Sequence, residues 1–370
     1  MHVGTNVARV VVVGAGIAGL STAIHAVSDG HHVVVLEKKS KIGGRGTSQN
    51  VDGYSLHYGP HLLDKTGPFF KLCKKLSRVK PVIKSVRMDK VEVVGCGPIR
   101  PTGNVKKAAL NKQAIRQQQP GNPYFEALKF LSSWGVDNNL PRIKSLSKSK
   151  FCVSNEGWIG LIGRLAAALD EIGVLIETTC EVTSLEGNQV RLKDGRNFEC
   201  DAIILACGAG GAKRILQSVD SNLTERTFAN LMTTFASTIE VGLSSKPMAG
   251  KHCIVDYQNN TALIDYSSIQ PRLTITGSHI SAIMTGQPSE NRLQRLEKFL
   301  DSQISGWRKH VITDLKQSKI TVGYSNCIDT DSFSKYSILL AGPWVKSQYV
   351  LADAAAETGK QAAKQLKSII

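Results

Sequence analysis

None of the eight cysteines, at positions 73, 96, 152, 180, 200, 207, 253 and 327, forms a Cys-x-x-Cys pair, and no Cys/His cluster has metal-ligand spacing. Zinc ribbons, thioredoxin-type redox motifs and disulfide scaffolds are thereby excluded; reduced thiols in a cytoplasmic setting, with no metal centre, are expected. Proline is scarce, at 12 residues in 370, which sets collagen-like and polyproline architectures aside. Aromatic residues make up only 6% of the chain, too few to make an aromatic cage visible. Acidic residues are outnumbered, 30 against 46 Lys and Arg, leaving a net charge of +16. Such a balance usually signals attraction to an anionic partner. The start, MHVGTNVARV, has neither the basic opening nor the apolar region of a signal peptide. Val10 to Val27 carries no Lys, Arg, Asp or Glu and approaches the length of a membrane span, but three glycines interrupt it. At 370 residues the chain exceeds one ordinary core, so two intertwined domains are expected.

Those glycines are the first positive signal. VARVVVVGAGIAGLSTAIHAVSDGHHVVVLEKK reads as a strand from Val7 to Val13, a tight turn, an amphipathic helix to about Ser28, and a second strand from His32 to Leu36. Gly14, Gly16 and Gly19 form G-x-G-x-x-G at the strand-to-helix turn. Gly14 makes the turn, Gly16 lets a pyrophosphate approach the backbone, and Gly19 lets helix pack closely on strand. Free N–H groups at the helix start, those near Ile17 and Ala18 included, favour the anion. Glu37 closes the second strand, 18 residues after Gly19, where a carboxylate accepts from an unphosphorylated adenosine ribose and repels a 2′-phosphate. Strand, turn, helix and acid in register predict a dinucleotide-binding βαβ unit.

KSKIGGRGTS follows, bringing Gly43, Gly44 and Arg45 close after Glu37 and Lys38. With this run the chain resembles the flavin-dependent amine oxidase superfamily, which includes monoamine oxidases, protoporphyrinogen oxidase, phytoene desaturases, carotenoid isomerases and hydroxysqualene dehydroxylase. The resemblance implies non-covalent FAD, with Arg45 against the pyrophosphate and isoalloxazine. GYSLHYGPHLL, residues 53 to 63, resembles the next family segment, which passes the substrate side of the flavin near Gly59. His61 is the catalytic candidate there, and His57 precedes the turn; an imidazole near neutrality moves a proton or orients a substrate, and a packed structural histidine is the competing reading. The resemblance also implies an adenine contact at Val182, the last residue of ETTCEV, and an approach of Ala206, Cys207 and Gly208 to the dinucleotide. Cys207 itself reads as a packing residue with no resolving partner nearby. In YSILLAGPWVKSQYVLADAAAETGKQAAKQL, a strand from Ser337 to Leu340 enters the Gly342 turn, and a terminal helix starts near Leu351. Family resemblance aims the first residues of that helix, Leu351, Ala352 and Asp353, at the flavin pyrimidine. Gly342-Pro343 departs from the family's usual Gly-Asp and leaves a ribityl contact open.

The expected fold is α/β: a Rossmann-type FAD-binding domain of glutathione-reductase-like, amine oxidase type (1–64, 155–225 and 325–370) with an interleaved α+β substrate domain (65–154 and 226–324). Short β-rich pieces, a Gly/Pro/Gln-rich connector and a helix at YFEALKFLSSWGV are expected in the insertion, and a long helix near residues 289 to 317. FAD carries the reactive chemistry in such proteins, and the chain positions the bond to be oxidised. A desaturase or oxidase acting on an apolar substrate, isoprenoid or carotenoid-like, is the leading expectation. Alternatives are amine oxidation, whose aromatic cage is not visible beyond Trp344 and Tyr349, a non-redox isomerase, a flavoprotein scaffold and a nucleic-acid module. Only the charge supports the last, so nucleic acid is not the expected partner. Residues 65 to 150 hold 19 Lys and Arg against four acids, nearly the whole excess. A solvated face is the common explanation for such a block. The functional one is an anionic membrane surface, with the protein cytoplasmic and peripheral at the inner face.

Overall fold

The computed structural model describes residues 7–76, 80–100, 105–134, 140–274, 276–286 and 290–370. Its first layer is a five-stranded parallel sheet. In spatial order the strands are Leu175–Glu177, His32–Leu36, Arg9–Val13, Ala202–Leu205 and Ile338–Leu340. Runs such as RVVVV and AIIL suit strands buried on both faces, where parallel sheets need continuous apolar residues rather than alternation. The chain order reverses on either side of Arg9–Val13, creating the switch point at which open α/β sheets bind ligands.

Helix Ile17–Ser28 packs between this sheet and the terminal helix Leu351–Gln365. Small residues let the two helices touch: a Cβ on Gly359 would collide with the Ala18 carbonyl, and the Ser21 hydroxyl donates to the Ala356 carbonyl at 2.7 Å. Helix Gly157–Glu171 lays Trp158, Leu161, Ile162, Leu165 and Leu169 into the same core. An antiparallel meander, Val182–Glu186, Gln189–Leu192 and Asn197–Glu199, caps the other face.

The second layer is a seven-stranded sheet centred on Met232–Leu243, Ser278–Gly286 and Thr261–Asp265. Here the structure corrects one expectation. The long helix near 289–317 is instead a helix, Arg292–Gln303, followed by a 15-residue edge strand, Val311–Ser325. The strand starts with half-buried Val311, Thr313, Leu315 and Gln317 alternating with exposed Ile312, Asp314, Lys316 and Ser318. Two of these inward positions, Thr313 and Gln317, are polar and outward Ile312 is apolar, so hydropathy hides the period of two; pairing with Met232–Leu243 decides the conformation. The Gly/Pro/Gln-rich connector likewise contains a helix, Val105–Arg116. Helix YFEALKFLSSWGV ends earlier, at Pro123–Ser132, and its last two expected residues, 135 and 136, lie outside the described residues, as do Arg78 and the start of the expected helix at 289.

Among the described residues no helix is long and apolar enough to cross a membrane; Val10 to Val27 is a strand, a turn and a helix. None of the eight cysteines, all among the described residues, is in a disulfide.

Candidate cofactor cleft

The carboxyl ends of the central strands open into a cleft of about 520 Å³, within the range of about 300–1,000 Å³ usual for ligand sites. Gly14, Gly16, Ile17 and Ala18 line it at one end. The helix there has Gly16 as N-cap with no side-chain cap, leaving its first N–H groups facing the cleft. A Cβ added to Gly16 meets no protein atom within 4 Å: the space before the helix is kept clear for something other than protein. Gly19 differs, since a Cβ there would strike the Gly14 carbonyl, and it stands behind the cleft wall.

Glu37 is 7% exposed and ties the strand end to the glycine turn. Its Oε2 accepts the Ala15 N–H and its Oε1 the Lys39 N–H, both at 2.9 Å. Both oxygens keep lone pairs for a hydroxyl, and the side chain lines the cleft beside Lys38. Gly43, Gly44 and Arg45 form the opposite lip, where the Gly43 N–H donates to the Ala15 carbonyl at 2.7 Å and holds the lip on the turn. The exposed Arg45 guanidinium reaches across to the Thr321 carbonyl. With Lys38, Lys39 and Arg214, Arg45 makes the lining cationic enough for a pyrophosphate.

Val182, Ala206, Cys207 and Gly208 line the cleft as well. Burial pushes the Cys207 thiol up to about 11, so the sulfur stays protonated and packs. Leu351 and Ala352 bring the start of the terminal helix to the wall. Asp353 does not join them. Its carboxyl turns to the neighbouring helix Pro68–Leu76, accepts the Phe69 N–H at 3.0 Å, and presses on Gly67. Gly59 and Gly342 also stand just behind the wall, with Tyr58, Pro60 and Pro343 in front. The Gly342 N–H donates to the Thr358 hydroxyl at 3.0 Å, fixing the turn that puts proline at the departure from Gly-Asp.

His61 lines the cleft with its ring stacked on Trp158, centroids 4.5 Å apart and planes 9° from parallel. Burial drives its imidazole down to about 3 against the opposing pull of the Arg45 carbonyl, so it is neutral and a poor proton acceptor. His57 lies behind it, 3% exposed and outside the lining. The sequence also hid several lining residues: Tyr58, Trp158, Thr321, Val322 and Tyr324. Three of these sit on the edge strand Val311–Ser325, where no local motif announces them. Trp344 also belongs to the lining, although its side chain is fully buried and donates to the Cys207 carbonyl at 3.0 Å; Tyr349 is not part of the lining.

Comparison with known proteins agrees with this geometry. The chain resembles 4,4′-diapophytoene desaturase from Staphylococcus aureus at 34% identity over 70 residues, 18% of this chain and 14% of that protein. An oxidoreductase from Methanosarcina mazei has the same fold, with a TM-score of 0.72 at 19% identity over 96% of this chain and all of its own. Cyclohexylamine oxidase from Brevibacterium oxydans superposes with a TM-score of 0.67 at 14% identity, covering 98% of this chain and 99% of that one. FAD is the cofactor that the clear space before Gly16, the uncapped helix start and the cationic lips fit. The family model of FAD dependent oxidoreductases matches residues 9–311, well over half of the sequence, and the chain belongs to that family.

Proposed function

We propose that this enzyme oxidises a C–H bond of a largely apolar substrate, of isoprenoid or carotenoid type, in the manner of a desaturase or oxidase. One observation carries the reading. Among the described residues the lining away from the dinucleotide end is Tyr58, Pro60, Trp158, Thr321, Val322, Tyr324 and Leu351, with no carboxylate or ammonium, and its one imidazole, His61, is neutral. FAD supplies the hydride acceptor. The residues of this chain exclude water from the reacting bond and hold the substrate flat against aromatic surface; His61, fixed between Trp158 and the His57 ring, orients rather than exchanges protons. Sequence similarity to a desaturase over one segment supports this substrate class.

Amine oxidation is the second reading, favoured by the aromatic side chains of Tyr58, Trp158 and Tyr324, which can flank a neutral amine. Anaerobic mixing of the FAD-loaded protein with linear polyenes, squalene derivatives and alkyl or aryl amines separates the two. Bleaching of the flavin absorbance by the hydrocarbons alone is expected; bleaching by amines alone overturns the proposal, and a protein that takes up no FAD removes both.

An apolar substrate has to be collected from somewhere, and the basic insertion offers a surface for collecting it. Helix Val105–Arg116 exposes Val105, 85% accessible, and Leu110, 44% accessible, beside exposed Lys106, Lys112 and Arg116. Apolar residues amid basic ones suit the headgroup region of an anionic bilayer.

A further inference from the structure

Behind His61, outside the cleft, lies a group that the cofactor site does not use. His57 at the end of strand Tyr54–His57, Glu240 in Met232–Leu243 and His279 in Ser278–Gly286 converge in the interior, their side chains 4%, 0% and 2% exposed. One ligand atom from each lies within 4.8 Å of the others. His279 Nε2 is 2.7 Å from Glu240 Oε2, and His57 Nδ1 is 3.7 Å from the same oxygen. Two polar atoms in the group have no hydrogen-bond partner: His57 Nδ1 and Glu240 Oε1. A wholly buried carboxylate with one oxygen unpartnered, and an unpartnered ring nitrogen 3.7 Å from its other oxygen, is costly unless a cation completes the group.

We propose that His57, Glu240 and His279 bind one divalent first-row transition ion, zinc or ferrous iron. Two imidazoles and one carboxylate are the donor set these ions take. Ligands about 2.0–2.2 Å from one ion stand roughly 3.2–3.6 Å apart. Glu240 and His279 therefore part by about 0.5–0.9 Å, and the widest pair of ligand atoms, now within 4.8 Å, closes by up to about 1.6 Å. Neighbouring strands carry Glu240 and His279, with Gly242 opposite His279 and Ser281 opposite Glu240, so the ligands sit on rigid elements. The His61 ring, 4.0 Å from that of His57, separates the ion from the cleft, and the ion's role is to fix the His57–His61 pair and place positive charge one imidazole behind the reacting bond. The site is independent of the substrate assignment.

The full chain, carrying no polyhistidine tag, is expressed with zinc or ferrous supplementation, and metal and flavin per chain are measured by mass spectrometry and absorbance. About one zinc or iron per chain is expected to survive gel filtration, falling at least tenfold in His279→Ala and Glu240→Gln while FAD content holds. Metal below a tenth of an equivalent in the wild-type protein overturns the proposal, and so does equal metal in folded variants. Should both variants lose FAD and fold, cobalt(II) added to metal-depleted wild type decides. Visible d–d bands of a low-symmetry nitrogen and oxygen site are expected; their absence leaves a bare Glu240–His279 hydrogen bond and ends the proposal.

Discussion

Gly16 and Gly19 belong to one fingerprint yet meet different neighbours. Open space in front of Gly16 means that Gly16→Val leaves the apoprotein close to wild-type stability, within about 1 kcal/mol for the altered helix cap. FAD content should fall below a tenth, because the branched side chain fills the pyrophosphate's place. Gly19→Val should do the reverse damage, destabilising the apoprotein itself by several kcal/mol through the clash with the Gly14 carbonyl. Thermal melts of both apoproteins beside flavin absorbance check the pair; equal melts would refute the division of labour. Asp353 yields a pH prediction. Burial, with Asp64 nearby, raises its carboxyl to about 7 despite the Phe69 N–H. A folded pKa above the unfolded one means that the folded state binds the extra proton between about pH 4 and 7. The stabilisation is complete below pH 4 and lost as pH rises through 7. The full shift corresponds to about 4 kcal/mol, discounted to about 1–2 because the residue is only half-buried. Asp353→Asn keeps an acceptor for Phe69, and its melting temperature should exceed wild type by several degrees at pH 8 and by nearly nothing at pH 4; a pH-independent difference contradicts the assignment.

At the scale of elements, the cofactor helix depends on the C-terminal one. The Gly359 backbone rests against the Ala18 carbonyl, with the Ser21 Cβ 3.0 Å from where a Gly359 Cβ would be. Gly359→Ala should therefore cost about 1–3 kcal/mol by overpacking and loosen FAD at the far end of both helices, read as a lower melting temperature and faster flavin loss on dialysis. Undiminished flavin retention in a destabilised variant would uncouple the two. The edge strand Val311–Ser325 shows the limit of local reading. Thr321, Val322 and Tyr324 reach the cleft only because the strand pairs along Met232–Leu243, more than 70 residues earlier.

For the whole molecule the charge is the property to test. Exposed Lys71, Lys74, Lys75, Lys112 and Arg116 belong to helices of the insertion, away from the glycine turn in sequence. Flotation on vesicles containing phosphatidylserine should be salt-sensitive and should weaken about fivefold for each basic residue neutralised near the surface, on roughly 1 kcal/mol apiece. Binding that ignores both salt and anionic lipid would leave the block as a solvated face.

Most of the cofactor domain was legible in the sequence because its signals are local. Continuous valines announce central parallel strands, glycine spacing announces a turn where backbone and phosphate meet, and Glu37 falls at a fixed distance along one βαβ unit. The family resemblance extended that reading to Arg45, Val182 and the start of the terminal helix, which the cleft gathers. Asp353 turned away because a helix start carries side chains to several sides, and only the packing of Pro68–Leu76 selects one. The sequence by itself determined the dinucleotide end of the cleft, because the glycine turn, Glu37 and the Gly43–Arg45 lip lie in one continuous stretch of chain. Tertiary structure decided the substrate wall and the His57, Glu240 and His279 cluster, whose members come from strands paired across large sequence separations and carry no spacing for a motif to record.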